Sequence, residues 1–175
     1  MTAIERKKFF SFFRYVVYAI LFLTLYVLQN TPSLFSVYGV KPILLIPAAV
    51  VFAMYEGEFV GGVFGALAGM LCDLGGFFLF GFDAILTLVF SAVSGLLTIY
   101  LLRRNLRNAF MMVFVSMLIR CCLTYFFMYH IWQYEDVASI FWDSTLWVIL
   151  YSTLLTPVYF WMWRKLCGFF HKRME

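Results

Sequence analysis

Phe59-Val60-Gly61-Gly62-Val63-Phe64-Gly65-Ala66-Leu67-Ala68-Gly69-Met70-Leu71-Cys72-Asp73-Leu74-Gly75-Gly76-Phe77-Phe78 is an apolar run broken by a single charge. About 20 such residues cross the hydrocarbon core of a bilayer as a helix, so the run predicts a membrane span. Within it, Gly61, Gly65, Gly69 and Asp73 recur every fourth residue. A helix places these positions along one slowly drifting face, and three glycines there make a groove in which another helix backbone can pack closely. Gly62 and Ala66 widen it. Its expected occupant is either a neighbour within the chain, such as Ser91-x-x-x-Gly95 in the following span, or a second protein.

Five more spans are predicted around this one. Residues 15–28 form the first; Arg6, Lys7, Lys8 and Arg14 precede it, and Gln29-Asn30-Thr31-Pro32 follows it. That exit lacks a small-residue cleavage site and further spans follow, so the segment reads as an uncleaved helix rather than a signal peptide. The second run, 43–55, is only about 20 Å long as a helix against a core of roughly 30 Å. It is expected to recruit part of 34–40 and to be interrupted, because Pro42 and Pro47 each lack a backbone donor. Glu56-Gly57-Glu58 turns the chain into the third span. A fourth covers about 82–102, a fifth 109–131 and a sixth about 144–163.

The chain therefore predicts an all-α, polytopic membrane protein of six transmembrane helices in a single domain over 1–175, with 15–163 as the bundle. Composition agrees: of 175 residues, 65% are hydrophobic and 13% charged, and the mean hydropathy is +0.92. A soluble domain is nearer 45–50% apolar. The basic residues give the orientation. Arg6, Lys7, Lys8 and Arg14 lie before the first span; Arg103, Arg104 and Arg107 follow the fourth; Arg164, Lys165, Lys172 and Arg173 follow the sixth. The opposite loops hold only Lys41, so both termini are expected in the cytoplasm, with 1–14 and 164–175 as cytoplasmic segments. Trp132, Tyr134 and Trp142 are then expected in an outer interfacial belt, and Trp161 and Trp163 in an inner one.

The charges left inside the spans are the candidate site. Asp73 lies about 21 Å into the third span, at a depth where an unpaired carboxylate costs a few kcal/mol. It marks either a functional group or the outer end of its helix, where it would accept hydrogen bonds from loop amides. Arg120 lies about 16 Å into the fifth span, too deep to reach water easily, so it is expected to face the bundle interior. Asp73 is the first candidate partner, with Asp83 and Asp143 behind it; the alternative is that Arg120 lines a water-filled cavity. Such a pair can fix how helices dock without adding net stability.

Several function classes find no support. No basic stripe is interleaved with stacking aromatics, which argues against nucleic-acid binding. There is no His-Glu-x-x-His, no Gly-x-Ser-x-Gly and no phosphate loop, so no catalytic or metal residue is assigned. His130 lies near the outer end of the fifth span and His171 in the tail, as expected of solvated residues rather than catalytic ones. Cys72, Cys121, Cys122 and Cys167 show neither ligand spacing nor a disulfide framework and read as small apolar residues. No cofactor is expected.

Lys41-Pro42-Ile43-Leu44-Leu45, the turn near Gly57, Gly65-x-x-x-Gly69-Met70-Leu71-Cys72-Asp73-Leu74-Gly75-Gly76, and Phe80-Gly81-Phe82-Asp83-Ala84 together resemble the MreD family of rod shape-determining membrane proteins. Leu28-Gln29-Asn30-Thr31, closing the first span, fits the same pattern. The motif match covers about residues 28–104, and the length and layout match over the whole chain. The resemblance implies a non-enzymatic component of the bacterial cell-wall elongation machinery, needed for rod shape and held in the cytoplasmic membrane. It implies a periplasmic coiled-coil partner of the MreC kind, with MreB, RodA and a penicillin-binding transpeptidase nearby.

A competing class of similar size and layout is the substrate-binding subunit of an energy-coupling vitamin transporter. Such subunits dock their coupling partner through a small-residue face, Ala-x-x-x-Ala, on the first helix. Here 16–28 is bulky and aromatic, with Ala19 and Thr24 the only small residues.

Overall fold

The computed structural model describes residues 3–31, 41–75, 80–132 and 145–174. Among these residues every regular element is helical: α1 (Ala3–Asn30), α2 (Leu45–Glu56), α3 (Glu58–Gly75), α4 (Phe82–Tyr100), α5 (Leu106–Trp132), α6 (Leu146–Leu154) and α7 (Thr156–Met174). Five stretches are long and apolar enough to cross a membrane: Phe12–Asn30, Glu58–Gly75, Phe82–Tyr100, Leu106–Phe127 and Leu146–Phe170, the last spanning α6 and α7. Asp143, Tyr134 and Trp142 lie outside the described residues, as do 34–40, and nothing is described of the side chains of Trp132, His130 and His171.

The second expected span is α2, a 12-residue helix. At 1.5 Å per residue it is about 18 Å long, short of a bilayer core. It is also apolar on every side, which places a helix inside a bundle rather than on its surface. Every residue from Leu45 to Met54 is buried, and α3, α4, α5 and α7 all pack against it. An interruption was expected at Pro42 and Pro47: residues 41–44, with Pro42, are not helical, whereas Pro47 leaves α2 unbroken. It sits in the first turn, where amides have no intrahelical acceptor to lose, so the missing N–H costs nothing and the helix runs unbroken to Glu56. Gly57, at a positive φ of 92°, then reverses the chain into α3.

Proline acts instead on the last span. Pro157 has no N–H to give the carbonyl four residues earlier, and the helix breaks at Leu155 between α6 and α7. α7 continues well past 163, where a cytoplasmic tail was expected, to Met174. Tyr159, Phe160, Trp163, Cys167 and Phe170 form its buried stripe at helical spacing. Trp163 is therefore not an interfacial anchor. It is 0% exposed and donates its indole N–H to the Ala48 carbonyl of α2 at 3.1 Å, because a buried Trp needs a partner for that hydrogen. Its ring meets Phe52 at 4.6 Å, Phe22 at 5.5 Å and Tyr18 at 5.7 Å between centroids, and this aromatic cluster ties α1, α2 and α7 together. Trp161, two residues earlier, does face outward, with the Lys165 ammonium 3.5 Å from its ring centroid.

The glycine groove of α3 is filled from within the chain. A Cβ at Gly65 would lie 2.5 Å from Ser91 Oγ and 2.9 Å from the Thr87 carbonyl oxygen, both on α4. One at Gly69 would collide with the Asp83 carbonyl and the Ala84 backbone. Gly61, a turn earlier on the same drifting face, presses on Ala53 of α2, while Gly95 of α4 makes room for the Glu58 backbone. The face thus serves two neighbours, with α4 taking most of it. Val63, Leu67, Met70 and Leu74 line the outer side of α3 and are exposed, as expected of a lipid-facing stripe.

Candidate functional site: a polar cavity at one end of the bundle

Where α3 ends, α4 begins. Asp73 sits two residues before the end of α3, and the close approach at Gly69 brings the first turn of α4 within its reach. Its Oδ2 accepts the N–H of Gly81 at 2.9 Å and of Ala84 at 3.1 Å, and its Oδ1 accepts the N–H of Asp83 at 3.1 Å. A helix start leaves its first amides without acceptors and carries about half a positive charge, so a carboxylate from the preceding helix answers both. Gly81 takes the left-handed φ of 96° that turns the chain onto this cap. Of the two readings of Asp73, the geometry is that of a carboxylate on loop and helix-start amides.

Asp73 is accordingly not the partner of Arg120. That partner is Asp83, which the first turn of α4 presents to α5. Arg120 Nε donates to Asp83 Oδ1 at 2.7 Å and Nη2 to Oδ2 at 2.5 Å, a parallel two-bond clasp between a planar guanidinium and a carboxylate. Asp73 would have been free for Arg120 only if the start of α4 had lain elsewhere; with three amides against it, the carboxylate is already engaged.

Sequence reasoning missed Gln29 as a site residue. From the end of α1, its Oε1 accepts the N–H of Leu44 at 2.8 Å and of Leu45 at 3.2 Å. Ser152 of α6 accepts the Ile43 N–H at 2.9 Å. The buried start of α2 is therefore capped from two other helices, as the start of α4 is from α3. The available signal was Pro42, which marks a helix start just downstream that needs acceptors.

These groups surround a cavity of about 200 Å³ lined by Gln29, Cys72, Asp73, Asp83, Arg120 and Thr124, among others. Arg120 thus both pairs with a carboxylate and lines a cavity. Two carboxylates face one guanidinium and the positive starts of α2 and α4, while the negative ends of α1 and α3 border the same cavity.

A second polar cluster lies at the opposite end. Arg14 Nη2 pairs with Glu56 Oε2 at 3.3 Å, and Tyr18 donates its hydroxyl hydrogen to Glu56 Oε1 at 2.6 Å. Tyr18 also lies 3.5 Å from the Cys167 sulfur, so α1, α2 and α7 meet here. Arg14, counted by sequence among the charges flanking the first span, is buried within it. The four cysteines are free thiols, and no metal-binding cluster of His, Cys, Asp or Glu occurs among the described residues.

The chain matches no known protein-family profile, no curated protein and no solved structure.

Proposed function

We propose that this protein is a non-enzymatic membrane scaffold of the bacterial cell-wall elongation machinery, of the MreD kind. The reading rests on the motif resemblance, and one observation supports it. The stretches that carry the resemblance are separated in sequence yet meet around one cavity: Gln29 caps the helix start after Pro42, Gly69 admits the start of α4, and Asp73 caps Gly81, Asp83 and Ala84. A motif that works as one structural unit is what a shared fold requires. The carboxylates of this unit are engaged by amides and by Arg120, which suits docking of helices rather than proton transfer.

In this reading the chain crosses the cytoplasmic membrane six times with both ends inside, the short α2 crossing together with the chain before it. A periplasmic coiled-coil protein of the MreC kind is its partner, near MreB, RodA and a penicillin-binding transpeptidase. Depletion followed by microscopy tests the role: rod-shaped cells should round up, and unchanged shape would overturn it. Co-purification with the coiled-coil protein tests the partner, and reporter fusions at each end and loop test the topology.

The second reading is the ligand-binding subunit of an energy-coupling vitamin transporter, with the cavity as its ligand site. Its volume of about 200 Å³ falls below the roughly 300–1,000 Å³ usual for sites holding drug-sized ligands. The outward face of α1 presents Val16, Ile20, Leu23 and Val27, which leaves little room for close docking of a coupling helix. Both weigh toward the scaffold. Vitamin uptake by cells that also express the coupling module would reverse that order.

A further inference from the structure

At the end of the bundle away from the cavity, five cationic side chains stand exposed: Arg103, Arg104 and Arg107 around the α4–α5 link, and Arg164 and Lys165 on α7. Among the described residues the ion pairs are Arg14–Glu56 and Arg120–Asp83, and none of the five takes part in them. Two of the five are linked through Tyr55. The Arg104 guanidinium lies 5.9 Å from the ring centroid of Tyr55, at the end of α2. Tyr55 is also held by α7: its ring packs on Phe160 at 5.6 Å and its hydroxyl donates to the Phe160 carbonyl at 3.5 Å. Arg164 follows Phe160 by four residues, so it lies one turn further along the same face of α7.

We propose that Arg104, over the Tyr55 ring, and Arg164, one turn beyond the Phe160 that packs on Tyr55, hold the phosphate of an anionic phospholipid headgroup. A guanidinium offers a planar fork of donors that matches phosphate oxygens, and two unpaired forks at one place favour a bound phosphodiester over diffuse counterions. The surroundings select a lipid as the bearer of that phosphate. Tyr100 and Leu101 are exposed apolar residues beside the arginines and offer surface to acyl chains. Trp161, exposed with Lys165 over its ring, has the placement of an interfacial anchor, which puts this turn of α7 at headgroup depth.

The test is native mass spectrometry of the full chain, delipidated in detergent and titrated with phosphatidylglycerol, with phosphatidylcholine of the same acyl chains, or with inorganic phosphate. Saturable binding of phosphatidylglycerol is expected, with phosphatidylcholine and free phosphate far weaker. The double substitution R104Q/R164Q should weaken phosphatidylglycerol binding by about tenfold or more, since each basic residue near an anionic headgroup adds an appreciable share of the attraction. R103Q/R107Q removes the same charge outside the pair and should cost clearly less. Equal loss in the two double variants would overturn the proposal in favour of a diffuse field. Equal binding of the two lipids, or free phosphate binding as tightly as phosphatidylglycerol, would overturn it as well. All four arginines are exposed, so the variants should fold; R104K/R164K, which keeps the charge and loses the fork, should fall between wild type and R104Q/R164Q, and wild-type affinity there would reject the paired-guanidinium geometry.

Discussion

Arg120 clasps Asp83 through two hydrogen bonds of 2.7 and 2.5 Å and so ties the middle of α5 to the first turn of α4. Both side chains are largely buried. Removing one partner strands a charge where water cannot solvate it, so Arg120→Ala and Asp83→Ala should each destabilise the protein by about 3–5 kcal/mol. Replacing both by apolar residues, Arg120→Met with Asp83→Leu, should recover most of that loss. The exchange Arg120→Asp with Asp83→Arg should restore part of it, whereas Arg120→Asp with Asp73→Arg should not. Thermal unfolding in detergent decides, and rescue through Asp73 alone would contradict the pairing.

Asp73 answers three amides at the start of α4. Loss of a helix N-cap costs about 0.5–2 kcal/mol, and Asp73→Ala should reach the upper part of that range because the cap is buried. Asp73→Asn keeps one oxygen acceptor and should lose about half as much. Gln29→Ala acts in the same way on α2 and should cost about 1 kcal/mol. Chemical unfolding in micelles measures all three, and equal stability of Asp73→Ala and wild type would refute the capping role.

Gly65 and Gly168 make a matched pair of tests. A methyl group at Gly65 meets Ser91 and the Thr87 backbone, so Gly65→Ala should destabilise by about 1–3 kcal/mol, and Ser91→Gly should relieve part of the effect. A Cβ at Gly168, inside α7, meets nothing within 4 Å. Gly168→Ala should therefore be neutral or stabilise by up to about 1 kcal/mol through helix propensity alone. Unfolding midpoints of the two variants moving in the same direction would count against intramolecular packing of the groove.

Trp161 and Trp163 are two residues apart and should behave differently. Trp163→Ala empties the aromatic cluster and should cost about 3–5 kcal/mol. Trp161→Ala removes an exposed ring and should leave the unfolding midpoint nearly unchanged while weakening anchoring at the interface. A large loss from Trp161 with none from Trp163 would reverse the assignment of the α7 faces.

Much of the site was legible in the sequence because its cues are local. Asp73, Asp83 and Arg120 stand out as charges in apolar runs, and the spacing of Gly61, Gly65 and Gly69 announces a packing face whatever packs there. Which carboxylate meets Arg120 depends on how far α4 is shifted along α5, a quantity no single segment encodes. Gln29 reads as an ordinary polar residue at a helix end until the start of α2 is placed beside it. Trp163 reads as an interfacial aromatic until α7 is seen to run on past it with its stripe turned inward.

The sequence by itself determined that this chain is helical and rich in spans long enough for a membrane, because hydropathy and helical periodicity are properties of each segment alone. Tertiary structure decided what each polar residue does. A buried charge or amide lowers its energy only by meeting a specific partner, and the translation and rotation of one helix against the next choose that partner. Here those shifts gave Asp73 to the backbone of α4, Asp83 to Arg120 and Gln29 to the start of α2.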